Sequence, residues 1–223
     1  MSLSNTFQKF QAFYLAPAKI YPMNPKTLFF AKMWNSRYGA EEYAYGEEPN
    51  AFIKQQLDNL IPGKILFPAE GEGRNAVYAA KLGWNVEAFD LSTEGKEKAL
   101  SLAAQNGVDI SYEVCDALQF QGEDFDALAF CYFHTPSNFE EIYSHLGNQL
   151  VEGGHLLFEG FSVKNIGLGS GGPQKEDMCF TTSQIRTLFS SFTSLRVWEE
   201  EVVLDEGSFH QGKAIVIRAE GIK

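Results

Sequence analysis

The chain has 223 residues, 44% of them apolar and 14% aromatic, enough to bury one substantial core, which argues against a disordered chain and for a single domain. Its 18 Lys and Arg against 29 Asp and Glu leave a formal charge of −11, which opposes a nucleic-acid backbone as partner, and no basic run reverses that field locally. Three cysteines, Cys115, Cys131 and Cys179, are odd in number and show no C-x-x-C spacing, so they indicate neither a disulfide framework nor a metal site and fit a reducing, cytoplasmic compartment.

The segment Met1 to Lys32 lacks the apolar core and small-residue cleavage site of a secretion signal, and no run approaches the ~20 apolar residues that span a bilayer, so no membrane partner is expected. Its aromatics (Phe7, Phe10, Phe13, Tyr14, Tyr21, Phe29, Phe30) suit a cover over a pocket or packing on the parent domain. Residues 1–48 are therefore read as an N-terminal extension and helical cover, and 49–223 as the main domain.

From Pro49 onward strand-like and helix-like segments alternate, the pattern of a parallel sheet covered on both faces. Pro49 suits a helix start, with Phe52, Ile53, Leu57 and Leu60 as the apolar stripe. The short strand Ile65-Leu66-Phe67-Pro68 then runs into Gly71-Glu72-Gly73 and a helix opening at Arg74. Two glycines without Cβ atoms, followed by the unpaired N–H groups of a helix start, make a nucleotide-cofactor loop. Ala76, Ala79, Ala80 and Gly83 give this helix a small-residue face for close packing on the sheet. The second strand ends at Asp90, placing a carboxylate suited to ribose hydroxyls, and Ser92 caps the next helix, which runs towards Asn106-Gly107. Gly71-x-Gly73-x-x-Ala76 also fits a dinucleotide fingerprint, so the loop alone leaves an NAD-type oxidoreductase open.

A third strand, Ile110 to Val114, ends at Cys115-Asp116, and a fourth, Phe125 to Phe130, ends at Cys131-Tyr132-Phe133-His134. Phe139, Ile142, Tyr143, Leu146 and Leu150 repeat with helical period before Gly153-Gly154 turns the chain into a fifth strand, His155 to Phe161. Lys164 to Met178, with four glycines and Pro173, is too glycine-rich for a stable helix and reads as a substrate lid. Ile185, Leu188, Phe189 and Phe192 mark a last helix. Leu195 to Leu204 and Lys213 to Ala219 are two β-rich runs whose connection, Asp205 to Gly212, has no room for a crossover helix, so they pair antiparallel.

A mainly parallel sheet that ends in such a hairpin is what S-adenosylmethionine-dependent methyltransferases look like, whereas a dinucleotide domain continues with another crossover. The chain resembles the small class I methyltransferases related to tellurite-resistance proteins and, more distantly, thiopurine methyltransferases. The matching segments are Trp34-Asn35-Ser36-Arg37-Tyr38 with Tyr43 to Asn50, then Gly71 to Ala76, Gly171-Gly172-Pro173, and Glu206 to Gly212. The resemblance implies an α/β, Rossmann-like, doubly wound, seven-stranded mixed sheet, and S-adenosylmethionine as cofactor. By analogy Gly71 and Gly73 admit the methionine part, Asp90 takes the ribose, Leu91 packs on adenine, and Asp116 and Ala117 complete the adenine site. Tyr45, Asn75, Ser92, Cys131 and Phe133 join the implied cofactor set, with no metal. The family carries an acid before its first motif glycine where this chain has Phe67 and Ala69. Glu70 either substitutes for that acid or points to solvent.

Methyl transfer from a sulfonium asks mainly for alignment and exclusion of water, so few catalytic side chains are expected. His134, after the fourth strand, is the candidate to touch the acceptor, either as a base or as a bond fixing the Thr135-Pro136 turn. His210, in the terminal hairpin, is the second candidate. The expected activity is methyl transfer to a small-molecule acceptor, a thiol or chalcogen species, by a monomer or homodimer; an NAD-type oxidoreductase and a non-catalytic S-adenosyl-ligand binder are the alternatives.

Overall fold

Residues 24–135 and 139–223 are described in the computed structural model. Seven strands form one sheet: β1 (Lys64–Pro68), β2 (Asn85–Asp90), β3 (Ser111–Val114), β4 (Phe125–Cys131), β5 (Leu150–Phe161), β6 (Ser194–Glu206) and β7 (His210–Ile222). Their order is β3-β2-β1-β4-β5-β7-β6. The first five pair in parallel, as βαβ crossovers require, and β7 enters antiparallel between β5 and β6. The chain thus reverses its strand order at β1 and β4, where a crevice opens beyond the strands' carboxyl ends.

Helices α1 (Pro25–Tyr38), α2 (Ala51–Leu57), α3 (Arg74–Lys81), α4 (Thr93–Gln105), α5 (Phe139–Gly147) and α6 (Thr182–Leu188) complete the fold. Side-chain alternation along the strands sorts the helices between the two faces. Ile65, Phe67, Val86, Ala88, Ala127 and Ala129 pack against α2, α3 and α4. Leu66, Phe89, Leu128, Phe130, Leu156 and Phe158 pack against α5 and α6. Both faces are apolar, so the central strands read as nearly continuous hydrophobic runs.

Several boundaries differ from the sequence expectation, among them the end of α6, which stops at Leu188 and leaves Phe189 and Phe192 beyond it. Asn50, not Pro49, starts α2, because its side chain accepts the Ile53 N–H and caps the first turn; Leu60 lies beyond the helix. Leu150 does not extend α5; it opens β5 by pairing with Phe125, and a register shift absorbs Gly153-Gly154 within the strand. The terminal hairpin turns over only Gly207–Phe209, since ladder bonds and a Gln211 to Asp205 side-chain bond carry both strands into the expected loop.

Helix α1 lies across the carboxyl ends of the strands. Asn24 caps it with bonds from Lys26 and Thr27 N–H, and Asn35 on its last turns accepts the Ser92 hydroxyl at 2.6 Å. The aromatics Phe7, Phe10, Phe13, Tyr14 and Tyr21 lie outside the described residues. Among the described residues no helix is long and apolar enough to cross a membrane, and no His, Cys, Asp and Glu cluster is arranged to hold a metal ion.

Candidate cofactor and acceptor cavity

A cavity of about 860 Å³ opens beyond the carboxyl ends of β1, β2, β3 and β4, roofed by α1 and by the segment after β5. That volume suits a cofactor together with a small acceptor. On its wall stand Glu70, Asn75, Asp90, Leu91, Asp116, Ala117, Cys131, Phe133, His134, Tyr45 and His210. Gly71, Gly73 and Ser92, expected at the same place, do not line it.

Each of those three is used inside the protein. A Cβ on Gly71 would meet the Tyr38 hydroxyl at 2.6 Å, and one on Gly73 would meet the Ala99 Cβ at the same distance. The glycines therefore admit α1 and α4 to the loop, and both have positive φ, 62° and 89°. Ser92 is fully buried, accepting the Gly95 N–H as the α4 cap and donating to Asn35. Ala69 also has positive φ, 51°, a strained turn for a residue with a Cβ.

Glu70 does not point to solvent. It is buried, and its Oε1 accepts the Asn75 and Ala76 N–H groups at 2.8 Å, occupying the start of α3. Its Oε2 takes a longer bond from the Asn75 side chain. Burial raises its pKa to about 7 despite those bonds and the nearby Arg74.

Asp90 joins two loops at the cavity floor. One oxygen accepts the Gly71 N–H at 3.2 Å and the other the Ser92 N–H at 2.8 Å. Burial raises its pKa to about 6. Asp116 accepts the Thr27 hydroxyl of α1 and the Leu118 N–H, fixing both roof and floor of the adjoining end. Cys131 is half-buried, and desolvation holds its thiol well above the usual range, so it is no ready nucleophile.

At the opposite end the rings of Tyr132, Phe161, His134 and His210 lie together. Tyr132 stacks on Phe161 at 4.7 Å and meets His210 edge-on at 4.6 Å; Tyr45 is 4.5 Å from His210. Tyr132 has φ 53°, so the chain is strained where β4 ends. His134 makes its Nδ1 bond to the Met178 carbonyl at 2.7 Å, a contact with the segment after β5, and burial lowers its pKa to about 4. Of the Thr135-Pro136 turn weighed as its alternative partner, Pro136 lies outside the described residues. His210 donates from Nδ1 to Glu206, and its pKa is lowered by burial.

Sequence reasoning did not pick out the buried network behind this wall. Arg74 donates to Glu206 at 2.9 Å, Asn50 donates to both Glu206 and Glu159, and Arg218 donates to Glu159 at 2.6 Å. Arg74 also reaches the Tyr45 carbonyl. Glu72 accepts the Ala44 N–H and Lys98, while Asn75 accepts the Asn50 N–H. Gly207 packs directly on Ala44 and Gly46, and Gly171 on Phe209 and His210. The segments that resembled one family in four separate places are thus mutually bonded around one cavity, and that resemblance was the only signal for Asn50, Glu72, Arg74 and Glu206, while Lys98, Glu159 and Arg218 carried none. Arg37 and Trp34 were likewise visible only there; Arg37 lines the cavity, donates to the Tyr45 hydroxyl at 3.0 Å and lies 3.8 Å over the Phe209 ring.

The segment after β5 forms two short 3-10 turns, Val163–Asn165 and Glu176–Met178, and contributes Gly171, Gly172, Pro173, Gln174, Lys175 and Met178 to the cavity. Buried Asn165 holds it by bonding the Gly171 carbonyl and the Ile215 N–H.

Residues 65–154 match the family model of a methyltransferase domain. The fold is that of a class I methyltransferase. A search of curated proteins gives no significant sequence match. Among solved structures, a protein described under the conversion of a disulfide bond into a thioacetal group during echinomycin biosynthesis superposes with a TM-score of 0.68 at 16% identity, over 88% of this chain and 91% of that one. TehB from Haemophilus influenzae gives 0.64 at 16% identity, over 86% of this chain and 66% of its own. Magnesium protoporphyrin IX methyltransferase from Synechocystis PCC 6803, solved with bound S-adenosylmethionine, gives 0.61 at 15% identity, over 92% and 100%. All three share the methyltransferase fold at identities too low to carry a substrate across.

Proposed function

We propose that this protein is an S-adenosylmethionine-dependent methyltransferase acting on a small-molecule acceptor, with residues 49–223 as the catalytic domain and 1–48 as its cover. The observation that carries this reading is the shared cavity: Asp90 and Asp116 stand at the ends of adjacent strands at one end, and His134 and His210 among aromatic rings at the other. Asp90, ionised at neutral pH, suits ribose hydroxyls, and Leu91 and Ala117 give adenine an apolar bed. Arg37, a cavity cation with no acid in salt-bridge contact among the described residues, suits the carboxylate of the methionine end. The residues present therefore fit the cofactor, which when bound supplies an activated methyl group on a sulfonium.

The protein's own part is binding, alignment and exclusion of water. Tyr132 and Tyr45 line the cavity, and aromatic rings there suit a cationic sulfur. The segment 163–178 closes the acceptor end, and His134 and His210 are the polar groups there that an acceptor would touch. A roofed cavity of this size supports a small acceptor over a protein or nucleic acid, as does the net charge of −11. Thiols and chalcogen species rank first, from the loop resemblance and from fold likeness to TehB and to the echinomycin-related protein. An NAD-type oxidoreductase loses ground because the last strand enters as an antiparallel hairpin.

The test is a panel of small thiols, amines and chalcogen oxyanions incubated with protein and methyl-labelled S-adenosylmethionine. Cofactor-dependent label on a small acceptor supports the proposal. Tight cofactor binding with no label on any acceptor favours a non-catalytic binder.

A further inference from the structure

The Nδ1 of His134 lies 2.7 Å from the Met178 carbonyl oxygen, which can only accept, so Nδ1 carries the proton. Nε2 of the neutral ring is then a lone pair. That atom is buried and has no hydrogen-bond partner among the described residues. Around the ring stand Phe180 at 5.4 Å, Phe161 at 5.7 Å and Tyr132 at 6.5 Å, and the Tyr132 hydroxyl, the one donor of the three, makes no hydrogen bond to Nε2. A buried acceptor left unpaired is costly, so a ligand that supplies a donor is favoured. The His134 ring is also part of the cavity wall.

From this geometry we infer that the segment 163–178 fixes His134 in one tautomer through the Met178 carbonyl, and that the unmet requirement at Nε2 selects an acceptor whose reacting atom carries a proton, a neutral S–H, N–H or O–H group. The inference rests on the methyltransferase reading and narrows it. An acceptor whose reacting atom bears no proton offers Nε2 no donor from that atom. A protic acceptor satisfies it. For each methyl gained, the acceptor gives up one proton: the X–H bond breaks with its electrons staying on X, Nε2 takes the proton, and water receives it afterwards. The bond to Met178 links this to the roof, because the segment must be seated for the lone pair to face the acceptor.

The first test is nitrogen NMR of histidine-labelled protein saturated with S-adenosylhomocysteine at pH 7, with His134 assigned by its loss in H134N. A neutral ring protonated on Nδ1 is expected; a proton on Nε2, or an imidazolium, overturns the inference. The second compares variants and acceptors. His134→Asn keeps a donor for the Met178 carbonyl but no lone pair at the Nε2 position, so cofactor affinity should stay within about threefold while turnover of 2-mercaptoethanol, a neutral thiol at pH 7, falls about 100-fold or more. Wild-type turnover in H134N would make the residue structural and overturn the inference. Methylation of selenite or tellurite in preference to thiophenol and 2-mercaptoethanol would overturn it while leaving the methyltransferase reading intact. Failure to bind S-adenosylmethionine would overturn both.

Discussion

Replacing Asp90 by asparagine separates what this carboxylate does for the fold from what it does for a ligand. Burial raises its pKa from 3.8 to about 6. An acid whose folded pKa is raised gives stability that is complete below the unfolded pKa and lost as pH rises through the folded one, so ionised Asp90 costs roughly 3 kcal/mol at pH 7. Asparagine removes that cost but turns an amide N–H towards the Gly71 or the Ser92 N–H, a mismatch of about 1–3 kcal/mol. The two effects oppose, and the unfolding free energy at pH 7 should move by less than about 2 kcal/mol. Binding behaves differently. Ribose hydroxyls lose a charged acceptor worth about 1.5–3 kcal/mol, so the Kd for S-adenosylmethionine should rise about 10- to 100-fold. Ligand bonds also favour the ionised form, so wild-type affinity should climb with pH up to about 6, with proton release on binding, and D90N should lose that part of the linkage. Glu70, at about 7, keeps its own share in both proteins. Titration calorimetry at pH 5 to 8, in two buffers of different ionisation heat, reads both effects. An affinity within twofold of wild type, or proton release unchanged in D90N, would refute the role given to Asp90.

Other substitutions probe the scaffold. Ala69→Gly relieves a positive φ that costs about 1–2 kcal/mol, less the added freedom of the unfolded chain, and should stabilise by about 0.5–1 kcal/mol in urea unfolding. Gly73→Ala should destabilise by more than about 2 kcal/mol in the same assay, since its Cβ would strike Ala99 and the φ of 89° disfavours it. Arg74→Ala leaves Glu206, still bonded by Asn50 and His210, without its counter-charge and should cost about 3–5 kcal/mol. The Glu206 carboxyl, held near 2 by His210 and Arg74 against the penalty of burial, contributes stability above about pH 4.5 that should disappear as pH falls towards 2, by roughly 3 kcal/mol in acid titration of unfolding.

The parts legible in the sequence were those fixed by local pattern. Strand alternation, the Ser92 cap and the want of room for a crossover before β7 each follow from neighbours in the chain, and the mainly parallel sheet with an antiparallel end follows from them. The carboxyl ends of β2 and β3 likewise gave Asp90 and Asp116 their place on the cavity wall. What could not be read was long-range. Gly71 and Gly73 looked like openings for a ligand because their real neighbours, Tyr38 and Ala99, lie 33 and 26 positions away. Glu70 left two readings open because only the observed turn aims it at the α3 N-terminus. Arg74, Glu206, Asn50 and Glu159 carry no periodicity, and no local rule brings four such residues together. Leu150 fell on the α5 period by coincidence with a strand start.

Titrating the purified protein calorimetrically with S-adenosylmethionine, S-adenosylhomocysteine and NADH tests the central claim without knowledge of the acceptor. Saturable one-to-one binding of the two S-adenosyl ligands, with NADH silent, is the predicted result. NADH binding in their place, or no binding of any of the three, would contradict the assignment of this cavity to a methyl donor.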